Sequence, residues 1–217
     1  MKFQLGFFLL WSFTVASFSA SGAVTFTPVL VAENVYAFIG DTGSRTTANE
    51  GMNANSGFIV TSAGVMVIDS GTTWQVAQSI HRAIKKVTRQ PVRIVVNTGG
   101  QDQRWLGNGY FKSVGAEVIA AKPALDDMRA RGEMQLNSLR QVLGKKMAGT
   151  VPVHPDRFFD QSKKTATGRS GNTAAVFSWW TYTGRQRGLA AKTRCVVFWR
   201  PRLCRSHLGC FSFQQYT

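Results

Sequence analysis

From Val29 onward, short apolar runs alternate with polar turns in a regular series. Val29 to Ala32 and Val35 to Gly40 read as one hairpin. Gly57 to Thr61 and Val65 to Ile68 read as a second, turned by Ser62-Ala63-Gly64. Thr72 or Thr73 then caps a helix whose apolar positions Ala77, Ile80, Ile84 and Val87 follow helical spacing, and Pro91 marks the end of the connection after it. Val92 to Val96 is a β-branched run too apolar for an exposed edge, which predicts a buried strand. A Gly-rich loop follows, then a short helix near Asn108 to Val114, a strand at Glu117 to Ala120, and a longer helix between Pro123 and Met147. There is no internal repeat. The pattern predicts one α/β (α+β) domain.

Length agrees, since 217 residues leave room for one domain with a real core. A formal charge of +15 would ordinarily raise nucleic acid or an acidic membrane surface as partners. Its distribution removes that reading. Residues 1–160 hold 16 Lys/Arg and all 11 Asp/Glu, whereas residues 161–217 hold 10 Lys/Arg, no acid, and all three cysteines, Cys195, Cys204 and Cys210. The N-terminus carries a further signal. Lys2, a mainly apolar stretch from Leu5 to Val15, and the small residues Ser21-Gly22-Ala23 describe a leader over residues 1–23, with the mature chain beginning at Val24. The stretch falls short of the roughly 20 residues needed to span a bilayer and is interrupted by Ser12, Thr14 and Ser17, so no stable membrane anchor is expected. Export is expected, to the periplasm in a Gram-negative source and otherwise as secretion.

Two motifs carry chemistry. Val65-Met66-Val67-Ile68-Asp69-Ser70-Gly71 is a strand delivering a carboxylate to a turn before a helix. Val95-Val96-Asn97-Thr98 is followed by a loop and Gly107-Asn108. In this order and spacing, from Val29 to about Asp160, the chain resembles the metallo-β-lactamase superfamily, particularly its exported metallohydrolases associated with quinoprotein systems. The resemblance implies the first half of a four-layer αββα sandwich. It also implies a zinc cofactor, a small-molecule substrate, and hydrolysis by metal-bound hydroxide, because zinc lowers the pKa of bound water toward about 7.

In that family the loop typically reads N-T-H-x-H-x-D-H-x-x-G-N. Here it reads Asn97-Thr98-Gly99-Gly100-Gln101-Asp102-Gln103-Arg104-Trp105-Leu106-Gly107-Asn108, which places Gly99, Gln101, Gln103 and Arg104 at the four ligand positions. None is a good zinc ligand: neutral amides bind it weakly, and Arg104 puts a permanent cation where a dication should sit. Asp102 reaches the carboxylate position only if the loop slips by one residue. The candidate catalytic residues are therefore Asp69 and Asp102, with Asn97 and Arg104 as candidate substrate-binding residues and Asp102 as the candidate metal ligand. Each has a plainer reading. Asp69 can be a helix-entry residue and Arg104 a simple ion-pair partner beside Asp102. His81 reads as solvated near the polar side of its helix, His154 as a loop residue, Lys145-Lys146 as a solvated helix end, and Trp105 as core.

Residues 165–217 lack the second half that the resemblance calls for, with its G-H-T-x-G-D and F-x-G-D loops. Codons permitted by the protein sequence, read one nucleotide later from Lys164, can encode both a His-Gly-Gly loop and Gly-Asp loops. Every Trp codon shifted in this way must give Gly, and Trp179, Trp180 and Trp199 fall on the expected glycines. Lys163-Lys164-Thr165 can be encoded by a run of adenines, where an extra base is easily gained. The expected organisation is a leader over 1–23, the N-terminal half of the domain over 24–164, and an out-of-frame tail over 165–217. Two functions follow: an exported hydrolase-like protein with a substituted metal loop, inactive as translated, or a metal-free relative binding a small ligand in the same cleft.

Overall fold

The computed structural model describes residues 24–159 and four later strands, 162–166, 173–181, 193–201 and 209–211. The leader expected over residues 1–23 lies outside the described residues. Seven strands form one sheet in sequence order. The first hairpin is β1 (Val29–Ala32) with β2 (Val35–Phe38), and the second is β3 (Ser56–Thr61) with β4 (Gly64–Ile68), all antiparallel. From β4 the sheet turns parallel through β5 (Val92–Asn97), β6 (Glu117–Ala121) and β7 (Arg157–Phe159). Parallel neighbours need crossovers, and these are helical. The connection from β4 to β5 is α1 (Trp74–Val87); α2 (Asp102–Trp105) and α3 (Asn108–Ser113) join β5 to β6; α4 (Lys122–Leu143) and a 3₁₀ turn, Gly144–Met147, lead to β7. The later strands β8 (Ser162–Ala166), β9 (Thr173–Thr181), β10 (Thr193–Pro201) and β11 (Gly209–Phe211) pair antiparallel in a second sheet.

Thr73 is the N-cap of α1, its hydroxyl accepting from the Val76 amide at 3.0 Å, which satisfies a donor with no partner inside the helix. The helix then buries Val76, Ala77, Ile80 and Ile84 against Val65, Val67, Val95 and Val118 on one face of the sheet. At about 1.5–3 kcal/mol for each fully buried large aliphatic side chain, this face supplies much of the stability. The opposite face contributes a second buried layer of Val35, Ile59, Met66, Ile68, Val96 and Ile119. Burial on both faces accounts for the apolar text of β4 and of Val95-Val96 in β5. A third cluster joins α4 to α2 through Leu136, Leu139, Met128 and Trp105.

Before residue 160, two elements escape the sequence pattern, and so do the later strands β8 to β11. The glycine-rich loop after β5 contains the single turn α2, and β7 is a three-residue edge strand. His81 also departs from expectation. It is buried at 8% exposure, its Nδ1 lies 2.9 Å from the Tyr110 hydroxyl, and its ring meets both Tyr110 and Phe111 edge-on or tilted. The reason is that α3 packs on what α1 alone would present as a half-polar flank.

Candidate functional site

The chemistry-bearing side chains gather where the parallel strands end, the usual place for a site in an open α/β sheet. Asp69 follows β4 directly and takes a left-handed backbone, φ 63°, that Asp tolerates better than most residues. Its peptide N–H donates to the Val96 carbonyl at 2.9 Å, so the turn is tied to the neighbouring strand. The side chain is 2% exposed and accepts from the Thr98 amide and the Thr98 hydroxyl, both at 2.7 Å. Its third donor is the Arg104 guanidinium, at 3.1 Å. Burial pushes the Asp69 carboxyl above its ordinary value, while the Arg104 charge and the Thr98 donations oppose this. Arg104 also donates to the Thr98 hydroxyl, closing a triangle of Asp69, Thr98 and Arg104.

The backbone of Arg104 is held as firmly as its side chain. Its carbonyl accepts from the Ser70 amide at 2.9 Å and from Asn97 Nδ2 at 2.7 Å. Asn97 is fully buried, and its amide pairs reciprocally with Asn108, at 3.0 and 2.9 Å. Both ends of the loop are therefore fastened to each other. At Gly107 a Cβ would fall on the Ser70 carbonyl, so the sharp return of the chain requires glycine. Asn97 thus shapes the loop from inside, and its amide faces Asn108 and Arg104.

Asp102 opens α2 and is 5% exposed. Its partner is Arg45, from the loop between β2 and β3, whose guanidinium contacts both the Asp102 carboxylate and the Gln103 side-chain oxygen. Arg45 Nε donates to Asn53 at 3.3 Å, which braces it on its own loop. The ion pair expected between Arg104 and its near neighbour Asp102 is replaced by two crossed pairs, Arg104 with Asp69 and Arg45 with Asp102. Each acid finds a cation distant in sequence. Arg45 had no sequence signal: it sits in an aperiodic stretch of Thr, Ser, Gly and Asn.

Trp105 is fully buried and its indole N–H donates to the Gly100 carbonyl and to Gln135, both at 3.1 Å, in keeping with a core role. His154 is exposed and stacks on Trp105 with ring centroids 5.5 Å apart. Lys146 is not a solvated helix end. It reaches Glu50 Oε1 at 3.1 Å and the Thr47 carbonyl at 2.9 Å, with its side chain 23% exposed.

The residues present do not fit zinc. Gly99 offers no donor, and a Cβ there would lie 2.5 Å from Gln101 Oε1 and 3.1 Å from Arg104 Cδ, so the space a ligand at position 99 would need is taken by these side chains. Gln101 is exposed, Asp102 is committed to Arg45, and Arg104 brings its own charge onto Asp69. Among the described residues, no group of three His, Cys, Asp or Glu side chains could hold a metal ion. Nor is any helix among them long and apolar enough to cross a membrane.

Comparison with known proteins places this architecture. The family model for the metallo-beta-lactamase superfamily matches residues 49–179. Among solved structures, the metallo-beta-lactamase GOB-18 from Elizabethkingia meningoseptica is 18% identical with a TM-score of 0.55, over 86% of this chain and 60% of that one. A metallo-beta-lactamase from Pontibacter korlensis is 17% identical with a TM-score of 0.54, over 80% of this chain and 66% of that one. A Cronobacter sakazakii metallo-beta-lactamase described by its HARLDQ motif is 18% identical with a TM-score of 0.52, over 82% of this chain and 55% of that one. At these identities the likeness is one of fold. The chain spans well under two thirds of the length of most of these relatives.

Proposed function

Because the chain belongs to the metallo-beta-lactamase superfamily and yet its loop does not suit zinc, we propose that it is an exported, metal-free, small-molecule-binding relative of this fold and is inactive as a metallohydrolase. The observation that carries the reading is the Arg104 guanidinium lying on Asp69 and Thr98. A fixed monovalent cation, balanced by one buried carboxylate, stands among the loop positions where the family places metal ligands. Arg45 does the same for Asp102. Export is supported by the leader pattern of residues 1–23.

The same reading takes residues 165–217 as out of frame. Support comes from the absence of any acidic residue there and from the Trp codons that convert to the expected glycines. The family match runs past Lys164 to residue 179. The shifted translation should extend the likeness well beyond that position. The nucleotide sequence around Lys163 tests this, and a gene in which no single shift restores a Gly-Asp loop overturns it.

Metal analysis tests the function. The chain as it stands, and its frame-restored form, should purify with far less than one equivalent of zinc after dialysis against zinc. The fourfold variant G99H/Q101H/Q103D/R104H removes both the crowding side chains and the guanidinium, and should take zinc up. Stoichiometric zinc in the unaltered, frame-restored protein would instead support the second reading, a hydrolase whose remaining ligands come from the restored half.

A further inference from the structure

Among the described residues, Glu50 is the one buried carboxylate outside the Asp69 and Asp102 pairs. It is 2% exposed and holds a left-handed backbone, φ 49°, a conformation that disfavours residues bearing a Cβ. Its own carbonyl accepts from the Thr72 hydroxyl at 2.7 Å, so its place is fixed from the backbone side. Oε1 accepts from Lys146 Nζ and from the Val24 backbone N–H, both at 3.1 Å. Oε2 is buried and has no hydrogen-bond partner. A carboxylate oxygen left without a donor in the interior is costly, and a polypeptide amide at Val24 has only one hydrogen to offer.

Val24 is also the residue at which the sequence places the start of the mature chain, directly after Ser21-Gly22-Ala23. Two residues on, Phe26 is 8% exposed and meets Phe38 edge-on at 5.5 Å, so this end of the chain is anchored without help from Glu50. An open pocket lined by Val24, Phe26, Asn49 and Met52 adjoins this end of the chain.

We propose that Glu50 is the docking carboxylate for the α-ammonium group created when the leader is removed. Hydrolysis of the Ala23–Val24 peptide bond by a leader peptidase adds the hydroxyl of water to the Ala23 carbonyl carbon and its proton to the Val24 nitrogen. That nitrogen then becomes an ammonium with three donors and a charge. It keeps Oε1 and supplies the donor that Oε2 lacks. Processing is thereby coupled to folding, with the precursor held less firmly than the mature chain. The inference rests on the leader reading of the proposed function but not on its account of zinc, so metal analysis and the experiment below fail independently.

Three chains complete to Thr217 decide it: the mature one beginning at Val24, one retaining Ser21-Gly22-Ala23 before it, and one beginning at Val24 but N-acetylated. Each is made with Glu50 and with Glu50→Gln. A charge-assisted hydrogen bond in a domain of this size should raise the melting temperature of the free Val24 chain above the other two by about 3–10 °C. In the Glu50→Gln background the three should melt together. The same spread in both backgrounds, or no spread in either, overturns the proposal. A second readout does not need the variant to fold. The α-amine of the native Val24 chain should react with an acylating reagent at near-neutral pH several-fold more slowly than in urea, as expected for a half-buried amine ion-paired to a buried carboxylate, and equal rates overturn the proposal. N-terminal sequencing of the exported protein should begin at Val24, and a cut elsewhere overturns it as well.

Discussion

Asp69→Asn isolates the charge at the centre of the loop. Asn tolerates the left-handed backbone at this position nearly as well as Asp, so the substitution adds little strain of its own. What it removes is the carboxylate that accepts from the Thr98 amide, the Thr98 hydroxyl and the Arg104 guanidinium. The amide oxygen of Asn can still take the Thr98 N–H. Its NH2 group, however, turns donors toward a guanidinium that is only 15% exposed. Deleting one member of a buried pair costs about 3–5 kcal/mol, and the small exposure of Arg104 places the expected loss near the lower end. The complementary change, Arg104→Ala, should cost less, about 1–2 kcal/mol, because Asp69 keeps both Thr98 donors. Measured by urea unfolding, the double variant should be more stable than the sum of the single losses by about 1–3 kcal/mol, since the two side chains are one interaction. A chelator should change none of these values. If Asp69→Asn shifts stability by less than about 0.5 kcal/mol, or if the single effects simply add, the internal ion pair is not what holds the loop. A chelator-dependent loss in the parent protein would also refute the reasoning.

Gly99→His alone should destabilise by about 1–3 kcal/mol through overpacking against Gln101 and Arg104, and combining it with Gln101→His and Arg104→His should relieve the crowding. Differential unfolding of the single and triple variants with zinc present checks this. Arg45→Ala should cost about 1–3 kcal/mol by stranding the buried Asp102 carboxylate, and Arg45→Lys should recover part of the loss without the second contact to Gln103; equal stability of all three proteins would show that the pair is solvated. Burial, with the Lys85 charge behind it, pushes the His81 imidazole below its ordinary value of 6.5. The folded state then binds the proton more weakly than the unfolded one, so stability present above pH 6.5 is lost as pH falls through the folded value. His81→Gln should flatten that acid limb in unfolding curves taken between pH 5 and 7, and an unchanged limb refutes the assignment.

Most of the sheet could be read from the sequence because β4 and the second half of β5 are buried on both faces, and such strands carry apolar, largely β-branched runs, broken in β5 only by the exposed Arg93. The Thr72-Thr73 pair marked the start of α1 for an equally local reason, the demand of the first turn for a side-chain acceptor, and the structure selects Thr73. What stayed hidden depends on partners far apart in the chain. Whether Asp102 pairs with Arg104, two residues away, or with Arg45, 57 residues away, is decided by how the loop after β2 folds over α2, and nothing periodic encodes that. His81 was misplaced for the same kind of reason. Helical spacing assigned it to a flank, while its burial comes from α3, which follows a whole strand later. Glu50 and Lys146 look like surface residues in the sequence and meet only because the 3₁₀ turn after α4 returns to the loop before β3.

Three of the four substituted ligand positions, Gly99, Gln101 and Arg104, are coupled physically, since a Cβ at 99 would meet both other side chains, while the Gln103 side-chain oxygen is held by Arg45. Gly99 leaves room for the aliphatic stem of Arg104, since a Cβ there would lie 3.1 Å from Cδ, and the guanidinium supplies buried Asp69 with a cation beside its two Thr98 donors. A histidine restored at 99 while Arg104 remains would meet the guanidinium stem. A histidine restored at 104 while Gly99 remains would leave Asp69 buried without its cation and without enough ligands to recruit a metal in its place. Each single step back toward a metal loop is therefore opposed by the others. The route to zinc passes through simultaneous change at 99, 101 and 104, with Gln103→Asp completing the ligand set. This separates two histories for the loop: random decay would leave single reversions nearly neutral, whereas an internally paired site makes each of them costly. The ordering of stabilities among the single, double and triple His variants distinguishes these without any assay of activity. If the three single variants are each within about 0.5 kcal/mol of the parent, the loop is merely eroded, and the account of Arg104 as its resident cation falls.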